Sequence, residues 1–60
     1  MRDARRQTDA LSKEEAVRRC TKLAREFTAL GLTKAPDRQS VTYKRYGDGW
    51  AVYTGYQDSD

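Results

Sequence analysis

Hydrophobic and polar positions divide the chain into a helical segment and a two-stranded segment. Between residues 12 and 30, apolar side chains recur at steps of three and four, as in an amphipathic helix. Between residues 40 and 56, apolar and polar side chains alternate, as in half-buried strands. This order predicts an α+β fold (αββ) in which one helix packs on an antiparallel β-hairpin, with strands near residues 40–46 and 50–56.

Both ends of the predicted helix carry residues that favour helix termini. Ser12 and Glu15 have the spacing of a capping box, in which the serine hydroxyl caps the first turn and the glutamate reaches back. Gly31 follows the last apolar position and is expected to end the helix in the left-handed conformation. Leu32 then lies where it can contact Phe27, the hydrophobic contact that accompanies such an end.

The hairpin is predicted to turn at Asp48 and Gly49, because a type I′ turn needs positive φ at both central residues. A three-residue loop that includes Gly47 is the alternative, but it would separate apolar from polar side chains less well between the two faces of the sheet. The more apolar face, expected to pack on the helix, comprises Val41, Tyr43, Arg45, Trp50, Val52, Thr54 and Tyr56. The face expected to be exposed to solvent comprises Thr42, Lys44, Tyr46, Ala51, Tyr53 and Gly55.

The predicted core is small for an independent fold. It comprises Ala16, Val17, Cys20, Leu23, Phe27, Leu30, Leu32, Val41, Tyr43, Trp50 and Val52. A chain of 60 residues with one cysteine and no histidine has no internal disulfide or Cys/His zinc site to support it. Since a helix on a lone hairpin is rarely stable, we predict a homodimer, formed by sheet extension or by packing of the apolar faces, or folding on a partner.

The segments that flank this mini-domain, residues 12–56, are polar. Residues 1–11 form a basic segment without an apolar period, expected to be flexible or loosely helical. Its arginines suit a solvated terminus or, alternatively, an arm that reaches phosphates. Residues 57–60 are expected to be an acidic, frayed tail.

Charge is distributed unevenly along the chain. Residues 1–46 hold all twelve Lys and Arg against six Asp and Glu, a net charge of +6, whereas residues 47–60 hold three Asp and no base, a net charge of −3. A basic body suits an anionic partner. The sequence has no apolar run of membrane-spanning length and no signal-peptide pattern. With one free thiol, a cytoplasmic location is therefore expected.

Catalysis is not expected from these residues. Histidine is missing, and the glycines near residue 48 belong to a turn and not to a phosphate-binding loop between a strand and a helix. Cys20 lies in the apolar stripe of the helix, where a small buried hydrophobe is the expected role. The sequence therefore predicts a protein that is not an enzyme and that needs no cofactor and no metal.

Nucleic-acid binding is the first of two binding hypotheses. The candidate residues are Arg18, Lys22, Arg25, Lys44, Arg45, Tyr46 and Tyr53. Aromatic side chains on a sheet stack on bases, while Lys and Arg bind phosphates. The helical residues are equally typical of a solvated helix face, and tyrosine is common in strands for packing reasons alone.

A small protein-binding module is the second hypothesis, such as an adaptor, an inhibitor or a phage-type accessory protein. Tyr, Trp and Arg are enriched in interface hot spots, and the edges of a hairpin can accept a further strand. Salt discriminates the two hypotheses, because nucleic-acid binding weakens steeply with ionic strength. The distribution of charge favours nucleic acid.

Overall fold

The computed structural model describes residues 2–34 and 38–56 as one helix on a three-stranded antiparallel sheet. In chain order, the elements are β1 (Arg2–Arg6), α1 (Lys13–Ala29), β2 (Gln39–Tyr46) and β3 (Gly49–Tyr56). The strands lie in the order β1-β3-β2, so β3 is central. The predicted α+β fold, with a helix followed by a hairpin, is confirmed, and the sheet has one strand more than predicted.

The additional strand, β1, comes from the segment predicted to be flexible or loosely helical. It pairs antiparallel with β3, and Arg6 lies opposite Tyr53. The prediction for these residues was wrong because pairing uses backbone groups and needs no apolar alternation. A two-stranded hairpin leaves one edge of β3 open, and the basic segment occupies it. The acidic tail predicted for residues 57–60 lies outside the described residues.

Pairing along β3 continues beyond the end of β1. The backbone N–H of Gln7 donates to the Val52 carbonyl at 2.7 Å. Leu11 and Trp50 exchange two backbone hydrogen bonds, of 2.7 and 2.8 Å. The segment that precedes α1 is therefore fixed along the whole of β3, and it leads directly into the helix.

The first turn of α1 is capped as predicted, but by only one of the two hydrogen bonds of a capping box. The Ser12 hydroxyl accepts a hydrogen bond from the Glu15 N–H at 3.2 Å. The Glu15 carboxylate does not complete the box, because it binds Arg18 and Arg19, each at 3.1 Å. These ion pairs are largely exposed and contribute little to stability.

The last turn of α1 ends in the predicted left-handed cap. Gly31 has φ +75°, and its N–H donates to the Thr28 carbonyl at 3.0 Å. The N–H of Leu32 donates to the Phe27 carbonyl at 2.9 Å. These two bonds form a Schellman motif, which satisfies carbonyl groups that the helix leaves without partners.

The hairpin turns at Gly47 and Asp48, one residue earlier than predicted. Tyr46 pairs with Gly49 across the turn. Gly47 has φ +57°, and Asp48 is not among the described residues with positive φ. Positive φ at the first central position alone is the pattern of a type II′ turn. This turn spares the aspartate the strained left-handed conformation that a type I′ turn demands.

The different position of the turn does not alter which side chains share a face of the sheet. The partner of each residue moves by two positions, and side chains alternate with a period of two. Tyr43 is opposite Val52 and Arg45 is opposite Trp50. The groove beneath α1 is lined by Leu23 and Val52, so α1 covers the face predicted to pack on the helix.

The buried core is smaller than predicted. Ala16 and Ala51 are 0% exposed, Val52 is 1% exposed and Thr54 is 8% exposed. Of the predicted core, only Ala16 and Val52 are buried. Those that are half-buried are Cys20, Leu23, Phe27, Leu32, Val41, Tyr43 and Trp50, and those that are exposed are Val17 and Leu30. In the described part of the chain, one helix packs on a sheet of three strands, so many apolar side chains are only partly covered.

Within the part of the chain that the structure describes, α1 is neither long enough nor apolar enough to cross a membrane.

Candidate nucleic-acid interface

The sheet face opposite α1 carries two contacts between a cation and an aromatic ring. The guanidinium carbon of Arg6 lies 4.3 Å from the centroid of the Tyr46 ring. The Lys44 ammonium lies 5.1 Å from the centroid of the Tyr53 ring. We call these four residues the open-face cluster. All three strands contribute to it.

Strand alternation places the cluster on this face. Arg6 is opposite Tyr53 across β1 and β3, and Lys44 is opposite Ala51 across β2 and β3. Since β1 and β2 lie on either side of β3, the contact between Arg6 and Tyr46 must cross the central strand. Ala51 lies beneath this crossing and is 0% exposed, although it was predicted to face solvent. Its small side chain lets the longer ones lie flat over β3.

The cluster is basic and open to solvent. Arg6, Lys44 and Tyr46 are exposed, and Tyr53 is half-buried. Asp9 lies at the rim, 3.4 Å from Arg6, and its side chain is 100% exposed, so solvent screens this ion pair. The other acidic side chains that the structure describes belong to α1 or to the hairpin turn.

Three of the seven predicted site residues, Lys44, Tyr46 and Tyr53, meet in this cluster. Arg45 does not, because it alternates with its neighbours and lies on the helix side of the sheet. Its guanidinium is 5.5 Å from the Trp50 ring, on the face that α1 covers. Arg45 therefore lies on the face where the sequence analysis placed it, apart from the other three hairpin residues, and its role in binding stays a prediction.

The three predicted helical residues, Arg18, Lys22 and Arg25, form a separate basic ridge. They line one shallow groove on the outer side of α1. Because α1 covers one face of the sheet and the open-face cluster occupies the other, the two basic surfaces point in opposite directions. Arg18 is also bound to Glu15 at 3.1 Å. A short ligand reaches one surface or the other, and not both.

Arg6 is the cluster residue that the sequence did not reveal. It lies in a polar segment with no apolar alternation, and so it carried no strand signal of its own. The arginines of residues 1–11 were considered as an arm that reaches phosphates, but not as part of the sheet. The indirect signal for a strand was the hairpin, because an isolated pair of strands needs a further strand or a helix on its open edge. This requirement does not identify the segment of the chain that supplies the strand.

Trp50 belongs to a structural cluster beside the start of α1. Its ring centroid is 5.8 Å from that of Tyr43, in a tilted arrangement. The Lys13 ammonium lies 5.3 Å from the same ring. These contacts fix the helix start against the hairpin, on the side away from the open-face cluster.

Cys20 lies half-buried on α1, and burial raises the pKa of its thiol. A raised pKa leaves less of the reactive thiolate at neutral pH. In residues 2–34 and 38–56, no group of three His, Cys, Asp or Glu side chains is placed to hold a metal ion.

No protein-family model, no curated protein and no solved structure matches this chain. Function is therefore inferred from the chemistry of the open-face cluster and from the charge around it.

Proposed function

We propose that this protein is a non-enzymatic binding protein that holds single-stranded nucleic acid on the open face of its sheet. The observation that carries the proposal is the pairing of Arg6 with Tyr46 and of Lys44 with Tyr53 on one flat, uncovered surface. Aromatic rings on a sheet stack on unpaired bases, and neighbouring cations bind the phosphates between them. A duplex offers no such exposed base faces.

The energies of the competing contacts favour this use of the tyrosines. An exposed cation–π contact stabilises by roughly 0.5–1 kcal/mol. Stacking of a base on an aromatic side chain contributes roughly 1–3 kcal/mol. A base can therefore replace a cation over either ring. The displaced Lys44 is then free to bind a phosphate, whereas Arg6 also donates to the Thr8 carbonyl at 2.7 Å. Binding of this kind depends little on base identity, since every base has a face that can stack.

The basic ridge on α1 is the alternative surface for the same partner. Arg18, Lys22 and Arg25 could bind phosphates, but no aromatic residue lines their groove to stack on a base. Contacts of that kind supply sequence-independent, salt-sensitive binding. We assign the ridge a secondary role and the open-face cluster the primary one.

A second copy of the chain is the other proposed partner. Among the residues that the structure describes, only three apolar side chains are buried, Ala16, Ala51 and Val52. A domain of this size buries too little surface to be more than marginally stable alone, and association extends the core. We propose a homodimer located in the cytoplasm, where a free thiol such as that of Cys20 stays reduced.

Fluorescence anisotropy with labelled oligonucleotides tests the nucleic-acid proposal. Single-stranded DNA and RNA of 20 nucleotides are compared with a duplex of the same length, between 50 and 200 mM salt. Lys44→Gln and Lys22→Gln are matched variants, because each removes one lysine charge from an exposed position. Lys44→Gln should lower the slope of log affinity against log salt by about 0.7 in magnitude. Lys22→Gln should change the slope much less, because the ridge has only a secondary role.

Tyr53→Ala tests the stacking contribution separately from charge. It should weaken single-strand binding by about 5- to 150-fold, the equivalent of roughly 1–3 kcal/mol of lost stacking. Thermal unfolding is the control, since the loss of stability should be small. Failure of every oligonucleotide to bind at 50 mM salt would refute the proposal. Weakening by Lys22→Gln alone would move the site to the ridge.

The protein-binding alternative makes a different prediction in the same assay. A partner held by an aromatic interface should bind with little dependence on salt. Trp50 gives a second readout, because it is the chain's one tryptophan and lies on the helix side of the sheet. Its fluorescence should change little when an oligonucleotide occupies the open face, and strong quenching would place the ligand on the other side.

A further inference from the structure

Within residues 2–34 and 38–56, the outer edge of β2 has no strand beside it. Trp50 and Val52 direct their backbone groups away from β2, because both bind the segment that precedes α1. In an antiparallel pair, two residues opposite each other either both direct their N–H and C=O groups toward the partner strand or both direct them away from it. Arg45 is the partner of Trp50, and Tyr43 is the partner of Val52. Both therefore direct their N–H and C=O groups away from β3, toward the outer edge, and so does Val41. Within the described residues, no hydrogen bond reaches the backbone groups of these three.

Two features delimit this open edge. At its start, the N–H of Gln39 is already bound to the Leu32 carbonyl at 2.7 Å. At its end, Tyr46 leads into the turn. The open part therefore holds three N–H and three C=O groups, enough to bind one further strand and to specify its register.

Beyond Lys13 in its first turn, the flank of α1 above this edge is uncharged. Arg19 marks the opposite flank, since it lines a groove with the segment that precedes α1. At about 100° per residue, the flank toward β2 carries Val17, Thr21, Ala24 and Thr28, spaced by four, three and four. Val17 is 36% exposed, and Thr21 and Thr28 are also exposed. Small uncharged side chains allow a second helix to approach closely.

We propose that a second copy of the chain docks here, with its β2 antiparallel to β2 and the two-fold axis at Tyr43. The inference rests on the homodimer proposed above and adds its geometry. Tyr43 then pairs with Tyr43 of the second copy, and Val41 pairs with Arg45 of the second copy. This register uses all six open backbone groups of each strand. A two-fold axis one residue away, at Thr42, would leave some of these backbone groups without a hydrogen-bond partner.

The distribution of charge supports a second copy in this register. On the open face, Lys44 lies opposite Thr42 of the second copy, so the two lysines do not face each other. On the helix side, Arg45 lies opposite the apolar Val41 of the second copy. Like charges directly opposite each other destabilise a sheet. The other sheet edge, β1, has five residues with the sequence RDARR and an irregular register, and two copies of it would oppose arginines.

The proposed dimer joins the two open-face clusters. A two-fold axis perpendicular to the sheet keeps both clusters on one side and both α1 helices on the other. The two β3 strands are then three strand spacings apart, roughly 14 Å. One nucleic-acid strand can cross both clusters, and linked sites bind more tightly than single ones.

Disulfide trapping tests the register in a Cys20→Ser background. Residues that exchange both backbone hydrogen bonds have Cα atoms about 5.5 Å apart, within the range that a disulfide spans. Under mild oxidation by oxidised glutathione, Tyr43→Cys should yield mostly covalent dimer on a non-reducing gel. Val41→Cys and Arg45→Cys should each stay uncrosslinked, because the two copies of either position are about 14 Å apart along the strands. An equimolar mixture of the two variants should crosslink.

Light scattering after size-exclusion chromatography separates the possible failures. A dimer that crosslinks in the predicted pattern supports the inference, and the mixture of Val41→Cys and Arg45→Cys supports it even where loss of the Tyr43 ring impairs folding. A dimer without crosslinking at these positions overturns the geometry and keeps the homodimer. A monomer overturns both, and leaves the edge to a strand from another protein. Oligonucleotide binding by that monomer would still support the open-face cluster.

Discussion

Replacing Gly49 with alanine should remove a large part of the protein's stability. A Cβ atom built on Gly49 would lie 2.5 Å from the carbonyl oxygen of Leu11. It would also lie 3.2 Å from the nitrogen and 3.3 Å from the carbonyl carbon of the same residue. All three are backbone atoms, so no side-chain rotation relieves the clash. Either the segment that precedes α1 or the start of β3 has to move.

The size of the effect follows from what that movement breaks. Leu11 is fixed to Trp50 by two backbone hydrogen bonds of 2.7 and 2.8 Å. Each contributes roughly 0.5–1.5 kcal/mol, and strain from overpacking adds roughly 1–3 kcal/mol. The two bonds and the strain together give an expected loss of about 2–6 kcal/mol. A domain of 60 residues has a free energy of unfolding of roughly 3–9 kcal/mol, so the variant should lose roughly two thirds of it.

Gly47→Ala is the matched control, two residues away in the same hairpin. Gly47 has φ +57°, and a Cβ there would have no heavy atom within 4 Å. Its alanine variant should therefore lose only the roughly 1–3 kcal/mol of backbone strain that the first position of a type II′ turn imposes on a residue other than glycine. Since 1 kcal/mol lowers the Tm of a small domain by about 4–8 °C, Gly49→Ala should melt well below Gly47→Ala.

Circular dichroism followed during heating and during urea titration measures both variants. One protein concentration is used throughout, because association makes the Tm depend on concentration. Equal or reversed losses would refute the reasoning, and would indicate that Gly49 is the turn residue with positive φ. No loss in Gly49→Ala would mean that the segment before α1 does not pair with β3.

Two further predictions concern α1. Ser12→Ala should lower the free energy of unfolding by about 1 kcal/mol, because the Glu15 N–H loses its acceptor, and Ser12→Asp should retain it in urea titrations. Cys20 should react with iodoacetamide more slowly at pH 7 than a small free thiol, and its rate should rise with a midpoint at higher pH, because burial raises its pKa. Equal rates would show that the thiol is fully exposed.

The helix could be predicted because its signals lie close together in the sequence. The Ser12 cap acts on Glu15, three residues away, and the Gly31 cap acts within the same turn. The core was over-predicted for a related reason. Periodicity identifies the apolar side of α1 but not the width of the sheet beneath it. Val17 and Leu30 belong to the apolar stripe and are nevertheless exposed at its margins.

The strand β1 could not be predicted because its pairing depends on distant residues. Arg6 pairs with Tyr53 and contacts Tyr46, which lie 47 and 40 residues further along the chain. Neither contact leaves a pattern in the segment that contains Arg6. The three hairpin residues of the open-face cluster were predictable, because alternation fixes which of their side chains share a face. The fourth, Arg6, could be placed there only by the fold.

The position of the turn affects the dimer more than it affects the binding face. A change of two positions in strand partners keeps every side chain on its predicted face. A shift of the turn by one residue, however, reverses which backbone groups of β2 point outward. With the turn at Asp48 and Gly49, Lys44 would lie at the centre of the open edge, and a two-fold axis there would oppose two lysines. With the turn at Gly47 and Asp48, Tyr43 takes that place. Crosslinking through Lys44→Cys in place of Tyr43→Cys would therefore overturn the observed turn together with the proposed dimer.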